Sequence, residues 1–156
     1  MRTTTKKYLE SEVSTFGHIK SKIPNGKITV QSFAEMIKNG EYRENIEDLR
    51  AGALEMKEKL PVITPSGTCN NRKLKNHIGL VQLDFDHVFQ PDGLRESLFA
   101  DEHVLLAFIS PSGNGVKALV SINPLKHEKA TGEAREHFRR AYPNSKLDTK
   151  PMSRNA

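Results

Sequence analysis

The stretch GLVQLDFDHV, residues 79–88, is an apolar segment that carries two aspartates one residue apart, Asp84 and Asp86. Aspartate is a poor strand former, and a buried carboxylate is costly unless it is paired or bound to a metal. Alternate side chains of a strand share one face. A strand over about residues 78–84, continued to Asp86, would therefore project both carboxylates to the same side, ~6.6 Å apart. The stretch predicts a buried strand that ends in a pair of carboxylates.

The segments that follow this strand predict the order β-α-β-β-α. They are a helix over 91–102, strands over 104–109 and 116–122, and a helix over 127–143. A further strand would complete a β-α-β-β-α-β unit of the RRM-like or ferredoxin-like kind, an α+β fold with its helices on one face of an antiparallel sheet. The pattern lacks that strand. We therefore expect a chain truncated at its C-terminus, the N-terminal part of a longer protein.

The preceding residues predict an N-terminal helical extension of the same single domain, 1–156. Residues 1–60 hold a strand within 8–19 and two helices, and residues 61–156 form the sheet core. Thr29 is the predicted N-cap of the first helix and Gly40 its end, and a second helix is predicted over 43–59. After a short strand at 62–63, the segment up to residue 77 is predicted to be a polar loop.

The composition is that of a soluble globular domain, with 156 residues, 36% hydrophobic and 28% charged. A net charge of +5 favours an anionic partner such as nucleic acid or nucleotide. The single cysteine, Cys69, excludes an intramolecular disulfide and the usual cysteine-based zinc sites, and it fits a cytoplasmic location. No apolar run approaches the ~20 residues that a membrane span requires. The histidines lack metal-ligand spacing and are expected to be solvated or to lie in loops.

The two aspartates have the chemistry of a divalent metal site. Mg²⁺ is commonly held by one or two carboxylates together with substrate phosphates, and two such ions ~4 Å apart suit in-line phosphoryl transfer. The alternative is that the D-x-D pattern is only a turn at the end of a strand, with Asp86 capping the segment that follows. Both interpretations stay open at this point.

The segment SPSGNGVK, residues 110–117, also has two interpretations. Asn-Gly between two apolar strands is the leading signal for a tight hairpin turn. The same residues, Ser112, Gly113, Asn114 and Gly115, expose backbone amides and a hydroxyl beside Lys117, and such a nest binds phosphate oxygens. In the predicted strand order this hairpin lies close to the aspartate strand, so the two motifs are expected to meet on one sheet face. A third motif, LDTKPMSR, carries Asp148 and Arg154; by itself it has the composition of an exposed tail.

The three motifs LDFD, SPSGNGVK and LD resemble, in this order, the archaeo-eukaryotic primase superfamily, the primase-polymerase group. That superfamily has a D-x-D/E motif on a strand, a small glycine-containing s-G-x-H turn, and an aspartate after a helix. The chain is more closely similar to the VirE N-terminal-domain family of bacterial, largely Bacteroides-type, proteins. The resemblance covers about residues 61–154 and is carried by PVITPSGT, GLVQLDFDHV, FISPSGNGVKALV and YPNSKLDTKPMSR.

The resemblance implies a primase-polymerase-like nucleotidyltransferase domain of a mobile-element replication protein. Its expected ligands are Mg²⁺ or Mn²⁺, nucleoside triphosphates and DNA, and a helicase-like or primase-associated domain is expected downstream. The implied catalytic and metal-binding residues are Asp84, Asp86 and Asp148, and the implied nucleotide-binding residues are Ser112, Gly113, Asn114, Gly115, Lys117 and Arg154. Lys117 stands where the superfamily commonly has histidine. A non-catalytic nucleic-acid-binding module and a metal-dependent nuclease remain as alternatives.

Overall fold

The computed structural model describes residues 3–71 and 73–147, which form a mixed α+β chain with antiparallel sheets. The chain divides into two compact units, one built from the residues up to Ile78 and the other from Gly79 onward. Among the described residues, none of the helices combines the length and the apolar character needed to cross a membrane.

The first unit contains a three-stranded antiparallel sheet in the order β2-β1-β3 and a separate antiparallel hairpin, β4-β5. Its elements are α1 (Thr3–Glu10), β1 (Glu12–Phe16), β2 (Gly26–Thr29), α2 (Val30–Asn39), α3 (Arg43–Arg50), a 3-10 helix (Leu54–Lys59), β3 (Val62–Ile63), β4 (Gly67–Asn70) and β5 (Lys73–His77).

The helices of this unit agree only in part with the sequence pattern. The predicted caps of α2 are confirmed, since the Thr29 side chain accepts a hydrogen bond from the Ser32 amide and Gly40 adopts a left-handed φ of 66°. The prediction of one helix over 43–59 is wrong. Gly52, with φ 112°, lies two residues after the end of α3 and separates it from the 3-10 helix, because glycine adopts this conformation without the steric cost of a side chain.

The prediction of a polar loop up to residue 77 is also wrong, because β4 and β5 form a hairpin there. The Cys69 amide of β4 donates a 2.8 Å hydrogen bond to the hydroxyl of Ser14, a β1 residue that is only 1% exposed. Asn71 turns the chain with φ 44°, a conformation that asparagine tolerates better than most residues. A polar hairpin of this kind is specified by turn chemistry and by hydrogen bonds to another strand, so it has no alternating apolar pattern.

The second unit is a four-stranded sheet in the order β7-β8-β6-β9, and every neighbouring pair is antiparallel. The predicted β-α-β-β-α order is confirmed. The elements are β6 (Leu80–Asp86), α4 (Pro91–Phe99), β7 (Val104–Ile109), β8 (Val116–Ser121), a 3-10 helix (Pro124–Lys126), α5 (His127–Ala141) and β9 (Lys146–Leu147).

The strand that the sequence pattern lacked is present as β9, so the expectation of a missing strand is wrong. Leu147 pairs with Phe85, and Lys146 pairs with Asp86, on the edge of β6 away from β8. A two-residue strand is too short to show the alternation by which strands are recognised. Burial of Leu147, which is 9% exposed, is what ties this segment to the sheet.

Both α-helices of this unit lie on the sheet face that carries Phe85. The Phe85 ring makes edge-to-face contacts with Phe138 and Tyr142, at centroid distances of 6.4 and 6.5 Å. Ala107, which shares that face, borders one shallow surface cavity with residues of α4. Phe85 is fully buried, which stabilises the fold by about 1.5–3 kcal/mol. The helices of this unit do not cover the opposite face of β6, which carries the side chains that alternate with Leu83 and Phe85.

Candidate functional site

Asp84 and Asp86 occupy alternate positions of β6, on the face opposite Leu83 and Phe85. The strand runs through Asp86, two residues further than the sequence pattern indicated. The Asp84 side chain is 34% exposed and Asp86 is exposed. Leu83 and Phe85 lie in the core, so the backbone that carries the carboxylates is fixed from the other side of the sheet.

Lys117 lies directly beside Asp84. The two residues are register partners across β6 and β8, and the Lys117 Nζ atom is 2.9 Å from Asp84 Oδ1. Gln82, on the same face, donates a second hydrogen bond of 2.9 Å to that oxygen. Because the Lys117 and Asp84 side chains are 28% and 34% exposed, solvent screens the ion pair and its contribution to stability is at most about 1 kcal/mol.

The loop between β7 and β8 is not the tight Asn-Gly turn that the hairpin interpretation predicts. The left-handed backbone falls on Gly113, with φ 86°, and not on Asn114 or Gly115. The loop is closed by two hydrogen bonds of 2.9 Å, from the Ser110 amide to the Gly115 carbonyl and from the Gly113 amide to the Ser110 carbonyl. It is therefore a wider loop, spanning residues 110–115, with its own internal hydrogen bonding.

This loop is held against the end of β6. The Val88 amide donates a 2.8 Å hydrogen bond to the Asn114 carbonyl, and a Cβ atom at Gly115 would lie only 2.6 Å from the Phe85 carbonyl oxygen. At the exposed tip, the Ser112 hydroxyl donates to the Asn114 side-chain oxygen at 2.8 Å. The glycine at 115 thus allows a close approach that brings exposed polar groups to the same end of the sheet as the aspartates.

The structure brings together most of the site predicted from the sequence. Asp84, Asp86 and Lys117 share one sheet face, and the 110–115 loop lies at its end, whereas Asp148 and Arg154 lie outside the described residues. Within 3–71 and 73–147, no group of three or more His, Cys, Asp or Glu side chains is arranged to hold a metal ion. Two carboxylates nonetheless fit Mg²⁺, which usually keeps several waters and takes other ligands from substrate phosphates.

A second cluster of ionisable groups lies at the opposite end of this sheet. The Asp101 carboxylate contacts His103 Nδ1 at 3.3 Å and His137 Nε2 at 3.0 Å. Both histidine side chains remain more than half exposed, in agreement with the expectation of solvated or loop histidines. Burial raises the pKa of Asp101, but hydrogen bonds from His137 and His103 outweigh it and the net pKa is lowered. This cluster joins α5 to the segment before β7.

Residues 55–153 match the family model described as BT4734-like, N-terminal domain, which is more than half of the 156-residue chain. The chain belongs to the BT4734-like N-terminal domain family. This is a VirE N-terminal-like family, so that part of the sequence resemblance is confirmed. No curated protein and no solved structure shows a significant match to the chain.

In this BT4734-like domain, the matched segment contains every described residue of the candidate site. Two neighbours of the aspartates escaped the sequence interpretation. Gln82 precedes Asp84 by two positions, and strand alternation alone would have placed it on the same face. Phe89 follows β6 by three residues and is 95% exposed. Nothing in the sequence indicated this exposure, because an apolar residue close to an apolar strand is ordinarily expected to be buried.

Proposed function

We propose that this domain is a primase-polymerase-like nucleotidyltransferase domain that binds a nucleoside triphosphate with Mg²⁺ or Mn²⁺, and DNA. The observation that carries the proposal is the meeting of Asp84, Asp86 and Lys117 on one sheet face, with Lys117 Nζ 2.9 Å from Asp84 Oδ1. Carboxylates that hold a divalent ion, placed beside a cation that holds phosphate, suit in-line phosphoryl transfer.

The sheet topology supports the finer fold assignment. Both helices of the second unit lie on one face of its sheet. If the four strands of this unit are numbered by their order along the chain, their order across the sheet is second, third, first, fourth. This is the order of an RRM-like, ferredoxin-like β-α-β-β-α-β unit, which is the core implied by the resemblance to primase-polymerases. The carboxylates lie on a central strand, on the face that the helices leave open.

The proposed roles follow from what each side chain presents. Asp84 and Asp86 hold the divalent ion, which when bound neutralises phosphate charge and lowers the pKa of the attacking hydroxyl. Lys117, a compact point charge, pairs with the outer phosphates, and the exposed groups of Ser112 and Asn114 hydrogen-bond to phosphate oxygens. From the resemblance, we assign Asp148 as a third carboxylate and Arg154 as a further phosphate contact.

The cellular setting proposed for the domain rests on its charge and its family. A net charge of +5 suits a protein that tracks a nucleic-acid backbone through counterion release. We assign the domain to replication of a mobile element in the bacterial cytoplasm, together with a helicase-like or primase-associated domain of the full-length protein.

One observation favours a second candidate, a nucleic-acid-binding module without catalytic activity. Asp84 is already paired with the Lys117 ammonium and with the Gln82 amide. Its charge is therefore balanced without a metal, as in a structural ion pair. The two candidates differ in whether a divalent ion enters the site when nucleotide is present.

Titration calorimetry with Mn²⁺, with and without a non-hydrolysable nucleoside triphosphate, separates these candidates. The nucleotidyltransferase proposal predicts weak Mn²⁺ binding alone and much tighter binding with nucleotide, because the phosphates supply ligands. An Asp84→Asn, Asp86→Asn double variant is expected to lose this gain, and Asp92→Asn, at an α4 position whose side chain is 74% exposed, is the matched control. Equal Mn²⁺ binding by the double variant and the wild type would contradict the proposal and favour the binding module.

A further inference from the structure

Phe89 is the most exposed of the large apolar side chains in the described residues, at 95%. Leaving a phenyl ring in water forgoes about 1.5–3 kcal/mol of stabilisation. The ring is not part of the core of the sheet, whose Phe85 is fully buried. A ligand that covered the Phe89 ring would recover this stabilisation, so the position of the ring in the fold indicates which ligand could contact it.

The backbone that precedes this ring is held in place at the candidate site. Asp86 is the last residue of β6. His87 then turns the chain with φ 52°, a conformation that is uncommon for a residue with a side chain. The Val88 amide donates a 2.8 Å hydrogen bond to the Asn114 carbonyl of the 110–115 loop. Phe89 thus leaves a segment tied both to the aspartate strand and to the loop proposed to bind phosphate.

The distances suit one nucleotide. Phe89 follows Asp86 by three residues, so their Cα atoms are at most about 11 Å apart. If a nucleoside triphosphate is held through its phosphates by Lys117 and the 110–115 loop, its base extends away from them, and the exposed flat ring of Phe89 offers that base a stacking surface. Base stacking on an aromatic side chain tolerates every base, because each base has a π face.

We propose that Phe89 is the stacking platform for the base of the nucleotide bound at this site. The inference rests on the proposed function, since it requires a nucleotide whose phosphates lie at the aspartates and the loop. It adds a contact with the base that is independent of the metal.

The chain has no tryptophan, so Phe89→Trp introduces a single reporter. In the presence of Mg²⁺, we expect ATP to quench its fluorescence and inorganic tripolyphosphate, which lacks a base, to leave it nearly unchanged. Phe99→Trp is the matched control, because Phe99 is also an exposed ring, at 62%, but lies at the end of α4. Its fluorescence is expected to ignore both ligands.

A second variant measures the contribution of the ring to affinity. Phe89→Ala is expected to weaken ATP binding by about 5- to 100-fold, from the usual contribution of a base–aromatic stack, and to leave tripolyphosphate binding unchanged. Unchanged ATP affinity in Phe89→Ala, with tripolyphosphate still bound, would overturn this inference alone. If the wild type binds neither ATP nor tripolyphosphate, the proposed function and this inference both fail. Quenching by a short oligonucleotide and not by ATP would overturn the assignment of the base to a free nucleotide.

Discussion

The Lys117 ammonium lies 2.9 Å from an Asp84 carboxylate oxygen, across a register pair of the two central strands, β8 and β6. Each of these groups has a proposed ligand of its own, phosphate for the lysine and a divalent ion for the aspartate. Because an ammonium and a divalent ion are attracted to the same carboxylate, the proposed metal would compete with Lys117 for it when nucleotide is absent. In the proposed complex, phosphate oxygens would relieve that competition by drawing Lys117 toward the nucleotide.

Lys117→Met should therefore raise the affinity for Mn²⁺ in the absence of nucleotide, by about threefold to tenfold, since the competing charge at a few ångströms is gone. The same change should weaken nucleotide binding, because one phosphate contact is lost. Calorimetric titration of each ligand separately measures both effects. Lys129→Met, at a position on α5 whose side chain is 71% exposed, should change neither. A variant that binds Mn²⁺ no better than the wild type would show that the lysine does not compete for the carboxylate.

Asp84→Asn should abolish metal-dependent nucleotide incorporation by the full-length protein while leaving its affinity for DNA nearly intact. DNA affinity comes mainly from lysines and arginines spread over the surface, whereas alignment of the reacting groups depends on the metal-held carboxylates. The free energy of unfolding should fall by no more than about 1 kcal/mol, because the Asp84–Lys117 pair is partly exposed. Primer extension measures the incorporation, fluorescence anisotropy the affinity for DNA, and urea denaturation the free energy of unfolding. Incorporation that persists in the variant would remove Asp84 from the chemistry.

Gly115→Ala should destabilise the protein by about 1–3 kcal/mol, the usual cost of overpacking. The added Cβ would lie 2.6 Å from the Phe85 carbonyl oxygen, so the 110–115 loop or the end of β6 has to move. Gly132→Ala is the matched control. Gly132 lies within α5 and a Cβ there meets no atom within 4 Å, so alanine should stabilise that helix by about 0.5–1 kcal/mol. Urea denaturation of the two variants is expected to give shifts of opposite sign.

Asp101→Asn should reveal a pH-dependent contribution to stability. The folded-state pKa of Asp101 is below the ordinary value of 3.8, because hydrogen bonds from His137 and His103 outweigh the effect of burial. A lowered carboxyl pKa contributes stability that is fully present above the unfolded-state value and is lost as the pH falls through the folded-state value. The variant should be less stable than the wild type by about 1–2 kcal/mol at about pH 7, and the difference should shrink toward about pH 3.

The control for that experiment is Asp92→Asn, since Asp92 forms an exposed ion pair with Arg95 on the surface of α4. Its denaturation midpoint should differ little from that of the wild type at either pH. If the stability difference between Asp101→Asn and the wild type were the same at both values, ionisation of Asp101 would not be the source of its contribution.

The part of the fold that the sequence predicted is the part with long apolar segments. β7 and β8 are runs of apolar residues bounded by turn residues, and α5 has helical periodicity over fifteen residues. Placing Asp84 and Asp86 on one face needed only strand alternation. Placing Lys117 beside them needed the order of the strands in the sheet. The family resemblance and the hairpin signal both favoured that order.

The parts that the sequence did not predict are held by few or polar interactions. β9 has two residues, and the β4-β5 hairpin is anchored by hydrogen bonds such as that from Cys69 to Ser14. The end of α3 is set by the conformation of Gly52. The apolar side chains, however, continue beyond Gly52 at the same three- and four-residue spacing. None of these features has a hydrophobic period, so local pattern cannot detect them.

The pairing of Asp84 with Lys117, 33 residues later in the chain, also determines when the site forms during folding. The neighbours of β6 in the sheet are β8 and β9, and β9 is the last described strand. No short segment of the chain therefore contains both Asp84 and its partner Lys117. Closing such long loops costs entropy before any contact compensates for it. The aspartate face is therefore expected to be completed late in folding, after the helices, and a newly synthesised chain would bring Asp84 beside Lys117 only once the sheet is complete.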